Sequence, residues 1–477
     1  MSPLEPRMSS SVLPTAQTAL PASPEPPAPP RRPDPGDIAT LRAGLAGSLV
    51  LPGEPGWAAA SAPWNVAVAE RPNAVLVAAN AGDVVAGVRL AVARGVKVAV
   101  TGPGHGASAT LASTLRVSTD GLQRIEVDRA ARTARVGAGV SWGVLQAALD
   151  GTGLTGPVGS SPSVSVVGLL LQGGYSWFSR RVGAAAGSLR AAEVVAADGS
   201  IRWIDDGVDP EAMAALRGGG GGFAAVTEVL LDLIEAPNLA GGRLMLPIEA
   251  ASAVLAAYAA ATRTAPPEIT LWCSALRFPP LPELPEPLRG RAFVAVDAVS
   301  TAGLDALERA LAGVRAAGPV VHDTVGVRTA SGIPAICEEP VAPTPTVQRG
   351  FTLADLPDDA VAAFTAAVTQ PGPHLAVQLR HTGGGPVLRD GLATAVADGY
   401  VVNALAVAPT PAAQEAAREA NERLAVALAP WRGGRPLPSF VDPVDGLAAA
   451  YDGEQRARLD AVARRWDPEG TFVRSLA

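Results

Sequence analysis

Three glycine-rich segments, separated by strand-like sequence, constrain the fold of this chain more than any other feature. The first is VKVAVTGPGHGASAT, residues 96–110, in which three glycines surround His105. The second and third are GPVGSSPSVSVVGLLLQGG, residues 156–174, and LRGGGGGFAAVTEV, residues 216–229. A backbone without Cβ atoms lets peptide N–H groups approach an anion closely. Any one segment alone is typical of a turn, but the three together predict a groove for one large phosphate-bearing ligand.

The first segment also fits, in isolation, the dinucleotide-binding pattern G-x-G-x-x-G/A through Gly102, Gly104 and Ala107. That pattern requires a helix next and then a second parallel strand that carries an acidic residue. The chain continues instead into TLRVST and a hairpin pattern. Because the βαβ context is missing, the sequence disfavours this interpretation.

The composition excludes several classes of protein. The formal net charge of −7 argues against a nucleic-acid partner, since such proteins present a basic face. No apolar run approaches the ~18 residues of a membrane span, so no membrane partner is expected. Cys273 and Cys337 lie far apart and outside any CxxC or Cys/His cluster, so no metal site is predicted. Residues 1–36 are rich in proline and lack the apolar stretch of a secretion signal, which predicts a disordered tail and a cytoplasmic protein.

From residue 37 onwards the pattern is that of an α+β protein. Period-two hairpins are predicted in RIEVDRAARTARVGAGV and in SLRAAEVVAADGSIRWID, the second with its turn at Asp198-Gly199. Further along, Ala-rich helices such as AASAVLAAYAAATR alternate with strands such as EITLWCSAL, RAFVAVDAV, LAVQLRHTGG and YVVNALAVAP. This alternation predicts an antiparallel sheet that is covered by helices on one face.

Taken together and in this order, the motifs resemble FAD-linked oxidases with a p-cresol-methylhydroxylase-type FAD domain. The resemblance is to the berberine-bridge-enzyme-like branch, of the bacterial type that tailors natural products. In that family a strand leads to an R-x-G-G-H loop whose histidine bonds covalently to the flavin. TGPGH falls there and makes His105 the candidate for this bond. GSSPSVSVVGLLLQGGYSWFSRRVG and the closing RLDAVARRWDPEGTF also have counterparts in the family.

The resemblance implies three parts after the tail. They are a two-part FAD-binding domain over residues 37–236, a substrate domain over 237–430, and a C-terminal segment, 431–477, that returns to the FAD domain. It implies FAD as the cofactor and a small molecule as the substrate, and it leaves the oligomeric state open. The residues that it places against the FAD are Thr101, Gly102, Pro103, Gly104, His105, Gly106, Gly159, Ser160, Ser161, Ser165, Gly168, Gly173, Gly174, Val226 and Ser439.

The chain departs from the family pattern at several positions. Thr101 replaces the arginine of the attachment loop and Pro103 one of its glycines, so the covalent bond stays open. Ser161 stands where bicovalent members have a cysteine, which rules out a second, cysteinyl bond. Leu437 stands where members often have a catalytic tyrosine, so a base must come from elsewhere. The candidates for that base are Tyr400, His381 and Tyr175.

The resemblance implies an oxidase that acts on a small apolar secondary metabolite, polyketide-like, with hydride transfer to flavin N5 and reoxidation by O₂. Two alternatives stay open. Loss of the usual base favours a redox-neutral cyclase, which would keep FAD mainly as a structural element and act by orienting its substrate. A small-molecule binding or resistance protein is the other alternative, and it leaves His105 without a purpose.

Overall fold

The residues that the computed structural model describes are 35–102, 105–441 and 447–474. Residues 1–34 of the predicted tail, together with Pro103 and Gly104 of the first glycine-rich segment, lie outside the described residues. Within the described ranges the chain forms three β-sheets, a two-stranded ribbon and twelve α-helices. The predicted α+β fold is confirmed.

The first sheet is small and mostly parallel. Its strands and helices are α1 (Pro35–Gly44), β1 (Ser48–Val50), α2 (Trp57–Ser61), β2 (Ala74–Val77), α3 (Ala81–Arg94), β3 (Val98–Thr101) and β4 (Leu115–Ser118). The strand order is β1-β2-β4-β3, with β1 antiparallel to β2 and the other pairs parallel. Helix α3 connects β2 to β3, and β3 leads directly into the glycine-rich loop that carries His105.

Helix α3 begins after Asn80, the N-cap, whose side chain accepts a hydrogen bond from the Asp83 N–H. The Asp83 carboxylate is buried and accepts hydrogen bonds from three other backbone N–H groups. These donors are Ala46, Gly47 and Ala79, at 2.9, 2.9 and 2.8 Å. Asp83 therefore ties the loop before β1 to the helix instead of capping it.

The second sheet is antiparallel and contains both hairpins that the sequence predicted. The elements of this part are β5 (Ile125–Asp128), β6 (Thr133–Gly137), α4 (Trp142–Leu149), β7 (Leu154–Thr155), α5 (Val166–Leu171), α6 (Ser179–Val182), β8 (Leu189–Val195), β9 (Ile201–Asp205), α7 (Pro210–Leu216), β10 (Ala225–Asp232) and β11 (Ile234–Glu235). The strand order is β5-β6-β10-β8-β9, while β7 and β11 form the separate ribbon. The β5–β6 and β8–β9 hairpins are both confirmed.

The third sheet, called the large sheet below, has eight antiparallel strands. Its strands are β12 (Ala240–Pro247), β13 (Ile269–Arg277), β14 (Ala292–Ser300), β15 (His322–Asp323), β16 (Gly326–Val327), β17 (Thr346–Leu353), β18 (His374–Thr382) and β19 (Gly399–Val407). Their order is β15-β12-β14-β13-β18-β19-β17, with β16 also paired to β12. The helices of this part are α8 (Ala251–Thr264), α9 (Leu304–Ala316), α10 (Asp358–Thr369) and α11 (Pro411–Ala427).

Helices cover only one face of the large sheet. Leu271, Val377 and Val402 lie in a core with apolar side chains of α8, α9, α10 and α11. Side chains alternate between the two faces of a strand, so the neighbouring residues of these three point away from the helices. Gln378 and Asn403 are two such neighbours, and both line a cavity on the uncovered face.

The last described segment returns to the first sheet. Helix α12 (Gly453–Trp466) is followed by a bridge in which Phe472 pairs in parallel with Val98 of β3. The Val98 N–H donates to the Thr471 carbonyl, and the Val473 N–H donates to the Val98 carbonyl, both at 2.8 Å. In the described part of the chain no helix has the length and apolar character needed to cross a bilayer.

Candidate functional site

A cavity of about 1990 Å³ lies between the glycine-rich segments and the uncovered face of the large sheet. Pockets for one small molecule usually measure ~300–1,000 Å³, so this cavity has room for a dinucleotide and a substrate together. All three glycine-rich segments contribute to its wall. The sequence-predicted residues on the wall are Thr101, Gly102, His105, Gly106, Gly159, Ser160, Ser161, Ser165, Gly168, Val226 and Ser439.

His105 is held between the first and second glycine-rich segments. Its Nε2 lies 2.9 Å from Ser163 Oγ, and Ser163 Oγ lies 3.1 Å from Ser161 Oγ. The imidazole stacks on the indole of Trp64, with ring centroids 3.8 Å apart. Burial in these surroundings lowers the pKa of His105 to about 4. The imidazole is therefore neutral at physiological pH, which is the form that acts as a nucleophile.

Gly102 brings the backbone of the first segment close to the second. A Cβ atom at this position would lie 3.2 Å from the Ala138 carbonyl oxygen and 3.2 Å from Ser165 Oγ. Ser165 is the N-cap of α5 and accepts a hydrogen bond from the Gly168 N–H at 3.0 Å. Thr101, which replaces the arginine of the family pattern, accepts a hydrogen bond from Arg116 Nε at 2.8 Å. The start of the loop, at Thr101 and Gly102, is thus fixed by contacts with its neighbours.

The structure places Gly173 and Gly174 away from the cavity wall. Both have positive φ values, 81° and 70°, which favour glycine. A Cβ at Gly173 would lie 3.0 Å from Ala393 Cβ, and one at Gly174 would lie 2.7 Å from Leu169 Cγ. Their lack of side chains therefore serves close packing against other parts of the protein.

Tyr400 and His381, two of the predicted bases, lie on the helix-covered face of the large sheet. The Tyr400 hydroxyl lies 2.6 Å from Thr262 Oγ1 of α8, and its ring lies 5.6 Å from the His381 ring. Burial raises the pKa of Tyr400, and burial together with the nearby Arg180 lowers the pKa of His381 to about 3. Neither residue lines the cavity, because both fall on the alternate positions of β18 and β19 that face the helices.

Tyr175, the third predicted base, does line the cavity. Its hydroxyl donates a hydrogen bond to the His381 carbonyl oxygen. Burial raises the pKa of Tyr175 to about 12. The hydroxyl is therefore protonated at neutral pH and already engaged with the backbone, which does not suit a proton acceptor.

Sequence reasoning missed three polar residues on the uncovered face of the large sheet, Gln378, Arg380 and Asn403. Gln378 Oε1 accepts hydrogen bonds from Arg380 Nε at 3.1 Å, from Arg380 Nη2 at 2.7 Å and from Asn403 Nδ2 at 3.2 Å. All three residues are buried and line the cavity. A signal for them was present in the sequence, since Gln378 and Arg380 alternate with the apolar Val377 and Leu379.

One wall of the cavity lies in a segment that matches a known protein family. Residues 72–205 match the FAD binding domain family. This segment is an FAD-binding domain. The predicted cofactor, FAD, is thereby confirmed, and the matched residues include the loop of His105 and the α5 segment that together form one wall of the cavity.

Curated relatives match parts of the chain. The FAD-dependent monooxygenase FUP4 of Fusarium proliferatum is 36% identical over 201 residues, which are 41% of this chain and 39% of that protein. The (R)-6-hydroxynicotine oxidase of Paenarthrobacter nicotinovorans is 29% identical over 309 residues, which are 62% of this chain and 64% of that protein. The matched stretches thus span less than two thirds of either relative.

The fold likeness extends over nearly the whole chain. The solved structure of Physcomitrella patens BBE-like 1 superposes with a TM-score of 0.79 at 17% identity, over 92% of this chain and 98% of that one. The predicted resemblance to berberine-bridge-enzyme-like FAD-linked oxidases is confirmed, by sequence for the FAD-binding domain and by fold for the remainder.

The residues present fit FAD. Among the buried oxygen atoms of cavity-lining residues that have no hydrogen-bond partner within the described ranges are Gln172 Oε1 and Ser439 Oγ. The Ser439 N–H donates to the Gln172 carbonyl at 3.2 Å, so the two residues lie side by side. An unpaired buried polar group costs ~1–3 kcal/mol, so a polar ligand is expected there. The flavin and ribityl groups of FAD carry the donors and acceptors that such atoms require.

Proposed function

We propose that the protein is an FAD-dependent oxidase that acts on a small, largely apolar secondary metabolite with a polyketide-like skeleton. The observation that carries this proposal is the continuity of the cavity. Its wall passes from His105 and Ser160 of the FAD-binding domain to apolar residues of the large sheet, such as Leu276 and Phe293. A substrate on that apolar surface would lie beside the cofactor, separated from bulk water.

His105 supports covalent attachment of the cofactor. The imidazole is neutral, is oriented by the hydrogen bond to Ser163, and is fixed in its plane by the Trp64 ring. Bound FAD would accept a hydride from the substrate at N5 and pass the electrons to O₂. The other contributions of the protein are to bind the substrate, to exclude water from it and to accept its proton.

Glu339 is the residue to which we assign proton acceptance. It lines the cavity, and its Oε1 lies 3.7 Å from Arg380 Nη2. Of the two other carboxylates of the wall, Glu70 accepts from the Ser108 N–H and Glu338 pairs with Arg243. Glu339 differs from them in its place beside Arg380, which contacts Ser160 of the FAD-binding domain. Glu339 thus combines a place on the wall with a carboxylate that can accept a proton beside the buried guanidinium.

Two observations on the purified protein test the proposal. An absorbance spectrum recorded before and after acid precipitation tells whether flavin is present and whether it stays with the polypeptide. Anaerobic addition of the substrate should bleach the flavin, and admission of O₂ should restore the colour. A colourless protein would contradict the proposal.

A redox-neutral cyclase is a second candidate, favoured by the positions of Tyr400 and His381. Neither lines the cavity, so two of the expected bases of an oxidase are missing from it. An enzyme of this kind would act by holding an apolar substrate in a reactive conformation. A product of unchanged mass, formed without bleaching of the flavin, would favour this candidate over the oxidase.

A further inference from the structure

Arg380 is a buried cation in a mostly apolar wall. Its relative exposure is 5%, and its guanidinium stacks on the Trp272 ring at 4.2 Å from the ring centroid. The Phe440 ring lies on it as well, at 5.3 Å. The nearest carboxylate is that of Glu339, at 3.7 Å. A buried charge is costly unless it is both paired and fully hydrogen-bonded, and Glu339 at this distance pairs with the charge without a hydrogen bond, so a further hydrogen-bond acceptor would stabilise the guanidinium.

The hydrogen-bonding capacity of Arg380 is only partly used by the protein. Its Nε and Nη2 donate to Gln378 Oε1, and Nη2 also lies 3.2 Å from Ser160 Oγ. Nη1 has no hydrogen-bond partner within the described ranges of the chain. Since Arg380 lines the cavity, the edge of the guanidinium that carries Nη1 is left for a ligand.

The position of the guanidinium is determined by its surroundings. Gln378 accepts from it along the same strand, and the flat Trp272 ring fixes its plane. The Gln378 oxygen is held in turn by Asn403 Nδ2. A pre-oriented guanidinium loses little entropy on binding, and its Nη1 can donate charged hydrogen bonds to a carboxylate or a related oxygen anion.

Part of this wall is apolar. Met245, Leu276, Phe278 and Phe293 pack in one cluster near the ends of β12, β13 and β14, and all four line the cavity. An aromatic or polycyclic body would bury its surface against them at roughly 25 cal/mol per Å². The cavity therefore offers a buried cationic anchor at Arg380 and an extended apolar surface.

We propose that Arg380 is the specificity-determining anchor for a substrate that carries an acidic oxygen, such as a carboxylate, phenolate or enolate, on an apolar body. This inference deepens the proposed function and rests on it, because it takes the bound ligand to be the substrate of the proposed oxidase. Ser160 lies in the FAD-binding domain and contacts Arg380, so the anchored oxygen sits where the two parts of the cavity meet.

The experiment compares two probes of the same shape, 2-naphthoate and neutral 2-naphthamide, by anaerobic calorimetric titration of the purified protein. The wild-type protein should bind naphthoate more tightly. Arg380→Met should weaken naphthoate binding by about tenfold to a hundredfold, as expected for loss of a charged hydrogen bond. Naphthamide binding should change by less than about threefold, because a neutral probe makes only neutral hydrogen bonds there. Arg380→Lys, which keeps the charge but not the fork, should fall between.

The matched control is Arg291→Met. Arg291 also lines the cavity, but it is exposed, stacks on Phe293 and makes no hydrogen bond to Gln378. This change should leave the naphthoate preference unaltered. Flavin content is measured on every variant, so that absence of FAD, which sinks the proposed function, is distinguished from failure of the anchor. Equal binding of both probes by the wild type, or an unchanged preference in Arg380→Met and Arg380→Lys, would overturn the inference.

Discussion

The His105 imidazole lies almost parallel to the Trp64 indole, with an interplanar angle of 13°. Trp64 precedes Asn65, whose side chain exchanges two hydrogen bonds of 2.9 Å with the backbone of Thr346 on β17. The segment that covers the imidazole is therefore tied to the large sheet. The stacked Trp64 ring also removes the His105 imidazole from water and so lowers its pKa.

Trp64→Ala should make tether formation sensitive to pH. The pKa of His105 is about 4 because of desolvation, against 6.5 for a freely solvated histidine, so the wild-type imidazole is neutral throughout the range from pH 5 to 8. Removing the indole admits water and should raise that pKa toward 6.5. The fraction of FAD retained after acid precipitation, following reconstitution at pH 5 to 8, should fall at the acidic end for the variant alone. His105→Ala, as the reference, should retain none at any pH.

The stability of the protein should decrease on acidification through its buried histidines. His381 has a pKa of about 3, against 6.5 in the unfolded chain, so the unfolded state binds more protons as the pH falls between these values. Its contribution to stability is complete above about pH 6.5 and is lost toward pH 3. Melting temperatures from pH 7 to 4 should fall less steeply for His381→Gln than for the wild type. An unchanged slope in His381→Gln would contradict this expectation.

Tyr175→Phe should affect stability more than proton transfer. The hydroxyl donates to the His381 carbonyl, and burial raises its pKa to about 12. Loss of this hydrogen bond should lower the free energy of unfolding by about 1–2 kcal/mol. The pH profile of turnover should keep its shape. A missing acidic limb in the variant would mean that Tyr175 acts as the base after all.

Glu339→Gln should remove the base. The amide cannot accept a proton, so the rate of flavin reduction under anaerobic conditions should fall by about 100-fold or more. Glu338→Gln is the matched control, since Glu338 is the preceding residue and pairs with Arg243 and His322. Equal losses in the two variants would assign the effect to the loop and not to Glu339.

Asp297→Leu should be strongly destabilising on its own. Arg243 and Asp297 form a fully buried ion pair with two hydrogen bonds, of 2.6 and 3.0 Å, across β12 and β14. Removing Asp297 leaves the buried Arg243 with only the exposed Glu338, at 3.5 Å, as a charged partner among the described residues, and should lower the free energy of unfolding by about 3–5 kcal/mol. Adding Arg243→Met should recover a large part of that loss. Glu419→Gln in the exposed pair with Arg423 should change stability by less than about 0.5 kcal/mol.

Local patterns allowed much of the fold to be predicted. Hairpins β5–β6 and β8–β9 follow from period-two alternation with polar turns, and β13, β14, β18 and β19 follow from their β-branched and apolar runs. No prediction covered β17, in which Arg349 and Gly350 interrupt the apolar pattern. Gly350 is there because the backbone of Phe440 packs directly on it, which is a tertiary contact that the local pattern does not carry.

The structure brings most of the residues predicted from glycine-rich backbone to the cavity wall, but only Tyr175 of the three predicted bases. Glycine-rich segments indicate a loop regardless of strand register, so the His105 loop could be placed from sequence. Tyr400 and His381 were chosen for their chemistry, but a side chain on a strand serves only the face to which its register assigns it. Their immediate neighbours in register, Arg380 and Val401, belong to the opposite face. The alternation of side chains between the two faces of β18 and β19 would have placed Gln378, Arg380 and Asn403 on the cavity face.

The bridge between Val98 and Phe472 affects the order in which parts of the protein fold during translation. Strand β3 is at the edge of its sheet, and its outer side is paired by a segment that the ribosome delivers only after the entire large sheet. Contacts of such high sequence separation form late and slowly. The strand that leads to His105 is thus anchored last, so the proposed loading of FAD at His105 should follow translation of the large sheet and not accompany it.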